Sequence, residues 1–151
     1  MTGFGLNEPG DGCVLLVEDS WHDLLLMSYV LDEEGLRGSV HCARSGADAI
    51  AFLDRVRRDG GPLICGAMVD LALPDMSGAE LVDLMRQDRK FRNLPIVVYS
   101  GSTTELNSRE KHQLESVTMV EKPIKFKDFQ SAFLRLLRSL LNNQCDELAV
   151  A

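Results

Sequence analysis

Residues 63–78 read LICGAMVDLALPDMSG. An apolar run from Leu63 to Val69 stops at an acid, Asp70, and is followed by Pro74 and Gly78. Seven apolar or small residues bounded by breakers read as a strand buried on both faces. Ser77 with Glu80 forms an S-x-x-E capping box, and Leu81, Leu84 and Met85 follow at helical spacing. The stretch is therefore strand, turn, helix, with a carboxylate at the carboxyl end of the strand. An ionised acid at the edge of a core is costly unless a cation answers it. What answers Asp70 is the question the rest of the chain must settle.

The same unit repeats on either side. CVLLVE (13–18) is a strand, and Leu24, Leu25, Met27, Val30 and Leu31 recur at helical spacing from Ser20 to Glu34, closed by Gly35. SVHCA (39–43) is a weaker strand. Ser45 with Asp48 caps a helix carrying Ala49, Ile50, Leu53 and Val56, broken by Gly60–Gly61–Pro62. Downstream come IVVYS (96–100), a polar helix over 103–115, VTMVE (117–121), and a last helix with a stripe of Phe126, Phe129, Phe133, Leu136, Leu137 and Leu140. Apolar strands alternating with helices imply a parallel sheet covered on both faces. The expected fold is a doubly wound α/β three-layer sandwich around a five-stranded parallel sheet. Residues 1–12 read as a Gly-rich leader, 13–141 as the single domain and 142–151 as a tail.

Composition narrows the function. The chain has 151 residues, with 45% apolar and 26% charged residues and a net charge of −7. The basic residues are dispersed, which argues against a nucleic-acid surface. No apolar run approaches the roughly 18 residues of a membrane helix, and the N-terminus lacks the basic start and apolar core of a signal peptide. Cys13, Cys42, Cys65 and Cys145 form no C-x-x-C pair; the first three lie in strand-like segments and read as buried reduced thiols. A cytoplasmic protein is expected. His22, His41 and His112 lack metal-ligand spacing.

In doubly wound folds ligands bind beyond the carboxyl ends of the strands. Those ends carry Glu18–Asp19, Asp70, Ser100–Gly101 and Lys122–Pro123; the second strand ends in Ala43–Arg44, which offers nothing. Three acids, a hydroxyl and an amine thus meet on one rim. Crowded carboxylates raise a pKa or bind a metal. An all-oxygen set suits Mg²⁺, which uses one or two carboxylates, waters and a phosphate oxygen. Metal, amine and hydroxyl together can hold a phosphoryl group, and a carboxylate can accept one covalently.

Glu18–Asp19, Asp70 with Leu73–Pro74 and Gly78, Ser100–Gly101 and Lys122–Pro123 together resemble the receiver domain of two-component response regulators, over about residues 13–141. The resemblance implies a flavodoxin-like sheet of strand order 2-1-3-4-5. It implies that Asp70 accepts a phosphoryl group from a histidine kinase or a histidine phosphotransfer protein. Asp19 would bind Mg²⁺ directly, Glu18 nearby or through water, and Ala72 through its backbone carbonyl. Lys122 would pair with the phosphoryl oxygens and Ser100 would hydrogen-bond them. A cis bond would precede Pro123. Output would be a switched contact with a downstream protein, or onward phosphoryl transfer as a phosphorelay shuttle. The segment 88–96, DRKFRNLPI, is similar to stand-alone receivers that partner phytochrome-type kinases, several of which form homodimers.

Two positions depart from the pattern. Met119 stands where such domains often carry an aromatic ring, and Ser100 where Thr is common. The polar 103–115 helix, just after Ser100, is expected to move on phosphorylation. Two other functions compete. A docking module that has lost the chemistry keeps the fold, but the intact acids and lysine argue against it. A flavin-binding redox protein needs a hydroxyl- and glycine-rich loop after the first strand, where EDSWHD is acidic. An aspartyl phosphohydrolase would want D-x-D there.

Overall fold

The structure is a computed structural model, and residues 12–102 and 105–142 are described here. The leader at 1–11, residues 103–104 at the start of the expected polar helix, and the tail at 143–151, with Cys145, lie outside the described residues.

Elements alternate along the chain as β1 (Gly12–Val17), α1 (Trp21–Glu33), β2 (Val40–Ala43), α2 (Gly46–Asp59), β3 (Leu63–Val69), α3 (Gly78–Gln87), β4 (Ile96–Ser100), α4 (Ser108–Gln113), β5 (Thr118–Glu121) and α5 (Phe126–Leu141). All strand pairings are parallel, in the order β2-β1-β3-β4-β5. The five strands match the expected segments to within one residue at their ends. A 3₁₀ turn, Arg37–Ser39, takes the first residue expected of β2.

Side-chain alternation explains the two covered faces. Cys13, Leu15, Val17, Ala67, Val69, Ile96 and Val98 pack with Phe52, Leu53 and Val56 of α2 and Leu81, Val82 and Met85 of α3. The residues between them in sequence, Val14, Leu16, Met68, Val97 and Tyr99, pack with α1 and with Phe129, Phe133, Leu136, Leu137 and Leu140 of α5. Leu25, Leu84 and Phe126, read from spacing as parts of apolar stripes, face solvent instead. Each lies at the edge of its stripe, beyond the reach of the sheet.

Helix ends follow their sequence signals. Ser20, Ser45 and Ser77 each accept the backbone N–H of the residue three further on. Gly60 ends α2 with φ of 76°, a left-handed conformation that favours glycine. The polar helix is shorter than expected. It spans Ser108–Gln113, is held by an Asn107–Glu110 capping box, and buries no residue of its own. Leu114, just past its end, is buried in the core, and Leu106, before it, packs against the core while half-buried. A helix polar all round gains little from packing, so its caps define it. Among the described residues the cis X–Pro bond is Gly61–Pro62. Lys122–Pro123, where the resemblance implied a cis bond, keeps the trans form that X–Pro bonds ordinarily prefer.

Candidate functional site

At the carboxyl edge of the sheet β1, β3, β4 and β5 deliver their last residues to one place. Asp70 follows β3, and its backbone N–H donates to Val17 O at 3.0 Å, which seats it beside the end of β1. Lys122 follows β5, and its N–H donates to Ser100 O at 2.7 Å, locking it beside the end of β4. The loop after Asp70 turns back at once. Ala72 and Ser77 form a bridge, and the Gly78 N–H donates to Leu71 O at 2.9 Å. A Cβ on Gly78 would lie 2.3 Å from Asp70 O, so no other residue permits this approach without a shift.

Lys122 is the cation that answers Asp70. Lys122 Nζ donates to Glu18 Oε1 at 2.6 Å, to Asp70 Oδ2 at 2.7 Å and to Asp23 Oδ2 at 2.7 Å. One ammonium, itself 7% exposed, answers three carboxylates. The other Asp70 oxygen, Oδ1, accepts from the Ser100 hydroxyl at 2.7 Å and from the Ala72 amide at 3.1 Å. Leu71 N–H donates in turn to Ser100 Oγ at 3.4 Å. Both Asp70 oxygens are thus oriented. Asp70, Ala72, Ser100 and Lys122 line an open cleft of about 410 Å³, with Asp23, Glu105 and Glu110 at its walls.

The electrostatics follow from this crowding. Burial, reinforced by the charge of Asp70, pushes Glu18 up to about 8, against the pull of Lys122. Burial acts upward on Asp70 too, but the hydrogen bonds from Glu18, Lys122 and the Ala72 amide outweigh it and hold its carboxyl below the ordinary range. Burial would lower the Lys122 ammonium, yet the charges of Glu18 and Asp70 raise it above the ordinary lysine value. Burial thus favours the proton on Glu18, while hydrogen bonds and the lysine ammonium favour the ionised form of Asp70. Beside it Tyr99, fully buried, donates its hydroxyl to Phe129 O at 2.7 Å and ties β4 to α5.

Of the residues singled out in the sequence, the structure brings together Glu18, Asp70, Ala72, Ser100 and Lys122. Asp19 is exposed, and the three acids that gather are Glu18, Asp23 and Asp70, with one oxygen of each within 4.8 Å of the others. Asp23 was not singled out. Its position in the first turn of α1 is one where acids are common for the helix dipole alone. A surplus of carboxylate oxygens over a single ammonium is the donor chemistry that suits a hard divalent cation. Trp21 is 64% exposed and lies under the Arg44 guanidinium, 5.8 Å from the ring centre. Met119 is 38% exposed on β5, so no side chain fills the core from that position. Cys13 is buried; Cys42 and Cys65 are half-buried, and burial pushes the Cys42 thiol up to about 12. That is a small hydrophobe rather than a nucleophile. Among the described residues no helix is long and apolar enough to cross a membrane.

Residues 14–134 match the family model of the response regulator receiver domain. The chain is 26% identical over 117 residues to "Probable methanogenesis regulatory protein FilR2" of Methanothrix harundinacea, covering 78% of this chain and 76% of that one. It is 28% identical over 116 residues to response regulator Rcp1 of Synechocystis, covering 76% and 79%. The crystal structure of the Mn²⁺-bound form of Rcp1 superposes with a TM-score of 0.69 over 83% of this chain and 91% of that one, at 26% identity. The bacteriophytochrome response regulator RtBRR superposes with a TM-score of 0.65, at 27% identity over 93% and 94%.

Proposed function

The chain belongs to the response regulator receiver domain family, and on that premise we propose that it is a phosphorylatable switch whose acceptor is Asp70. The observation that supports this most is the setting of that carboxylate. Asp70 is 6% exposed, yet it lines the cleft, with Oδ1 held by Ser100 and Ala72 and Oδ2 by Lys122. An ionised, oriented carboxylate is a competent nucleophile.

The donor is a phosphohistidine of a sensor histidine kinase or a histidine phosphotransfer protein. An Asp70 oxygen attacks phosphorus, the P–N bond breaks, and its electron pair returns to the imidazole, which takes a proton. The product is an acyl phosphate. Water later attacks phosphorus, the P–O bond to Asp70 breaks, and carboxylate and inorganic phosphate are restored. Lys122 is placed to pair with a phosphoryl oxygen. The Ser100 hydroxyl, already on Asp70, turns to another.

Mg²⁺ fits the surplus of carboxylate oxygens; Asp70, Glu18 and the Ala72 carbonyl would hold it, Asp19 would have to turn in from solvent to join them, and the ion would neutralise charge on the phosphoryl oxygens. A relative described in its Mn²⁺-bound form supports a divalent ion. The protein works in the cytoplasm, and residues 13–141 form the working unit. Its output is a contact with a target protein or a second copy through the β5–α5 side, where Met119, Ile124 and Phe126 are exposed. Phosphoryl transfer from an autophosphorylated sensor kinase tests the reading. Label should pass to the wild-type chain with Mg²⁺, and neither to Asp70→Asn nor to wild type in a chelator. Label retained by Asp70→Asn would overturn the assignment.

A further inference from the structure

Asp23 does more than a helix-terminal acid needs to do. It is the third residue of α1, and its own N–H donates to the Ser20 hydroxyl at 3.2 Å. An acid placed there for the helix dipole keeps its carboxylate in water. The Asp23 side chain is instead 20% exposed, and Oδ2 takes a hydrogen bond from Lys122, 99 residues away in sequence. Its Oδ1 lies 3.4 Å from Nδ1 of the exposed His22 ring.

An ammonium has three N–H donors, and Lys122 has three carboxylate partners within 2.7 Å. Each partner differs in what its release entails. Glu18 is 1% exposed, and losing Lys122 would leave it buried without a cation. Asp70 is the acceptor, and its bond to Lys122 is the one a phosphoryl oxygen would inherit. Asp23 lines the cleft and touches solvent, so water can replace the lysine there. A phosphoryl group brings about two negative charges into this cleft. It meets an ammonium already saturated and a second carboxylate of like charge.

We propose that Asp23 is a positioning residue that competes with the phosphoryl group for Lys122, and so weights the equilibrium toward the unphosphorylated form. Both of its effects have the same sign. Its charge repels the dianion, and its hydrogen bond withholds a donor. The inference rests on Asp70 being the phosphoacceptor.

Beryllofluoride, a phosphoryl mimic, tests it on the full chain with saturating Mg²⁺, with affinity read by fluorine NMR. Asp23→Asn keeps the volume and the backbone cap but removes the charge; Asp23→Glu restores it. Asp23→Asn should bind the mimic about three- to tenfold more tightly, and Asp23→Glu about as wild type does. In the metal-free protein the Lys122 Nζ resonance should shift in Asp23→Asn and return in Asp23→Glu. A merely structural acid would leave that resonance in place. If Asp23→Asn does not fold, Asp23→Ser takes its place with the same expectation. Equal or weaker binding by the neutral variants, with wild type binding normally, overturns the inference alone. Wild type that neither binds the mimic nor gains a phosphoryl group overturns the assignment of Asp70 as well.

Discussion

Lys122 carries one positive charge, and three acids share it. Removing one partner of a buried ion pair leaves an uncompensated charge and costs roughly 3–5 kcal/mol. Lys122→Met should therefore lower stability in the metal-free protein by about that range, read by urea unfolding. Mg²⁺ should recover part of the loss, since a ligand at 100 times its Kd adds about 2.7 kcal/mol. A Lys122→Met variant as stable as wild type would mean that the acids do not depend on the lysine. Gly78→Ala belongs to the same scale. Its Cβ would meet Asp70 O at 2.3 Å, a backbone contact that no side-chain movement relieves. A cost of about 1–3 kcal/mol is expected in the same unfolding assay.

Among the elements, the β3–α3 loop is tied to α2 by a link that no local pattern reveals. Asp75 Oδ1 accepts from Gly46 N–H and Oδ2 from Ala47 N–H, each at 2.8 Å. The two amides hold the Asp75 carboxyl below its usual value of 3.8. A depressed carboxylate contributes stability that is present above its unfolded pKa and lost as pH falls through the folded one. Asp75→Asn should thus be less stable than wild type at neutral pH, and the gap should close as pH falls below 3.8. Denaturant titrations at both ends of that window measure it; a gap that persists in acid would place the effect elsewhere. This link spans 29 residues, and so lay beyond sequence reading, as did the pairing of Asp23 with Lys122. Neither carries a periodic or motif signal; each exists only because two elements meet. The elements themselves were legible because their signals are local: strand ends marked by Asp70, Ser100 and Lys122, and helix starts marked by Ser20, Ser45 and Ser77. The polar α4 was overextended because its true limit is a capping box at Asn107 rather than an apolar stripe.

For the whole molecule, alternation places every strand's carboxyl end on one edge, so the site's residue types could be read before its geometry was known. Spacing could not decide which acids converge. Glu18 turns under Lys122, whereas its neighbour Asp19 faces solvent. On the proposed reading, this convergence serves to place a phosphoryl group on one carboxylate. Intact mass after incubation with acetyl phosphate tests it most directly, with wild type and Asp70→Asn side by side, in Mg²⁺ and in chelator. Wild type in Mg²⁺ alone should gain the mass of one phosphoryl group. An unchanged wild-type mass at saturating Mg²⁺, or the same gain on Asp70→Asn, would contradict it.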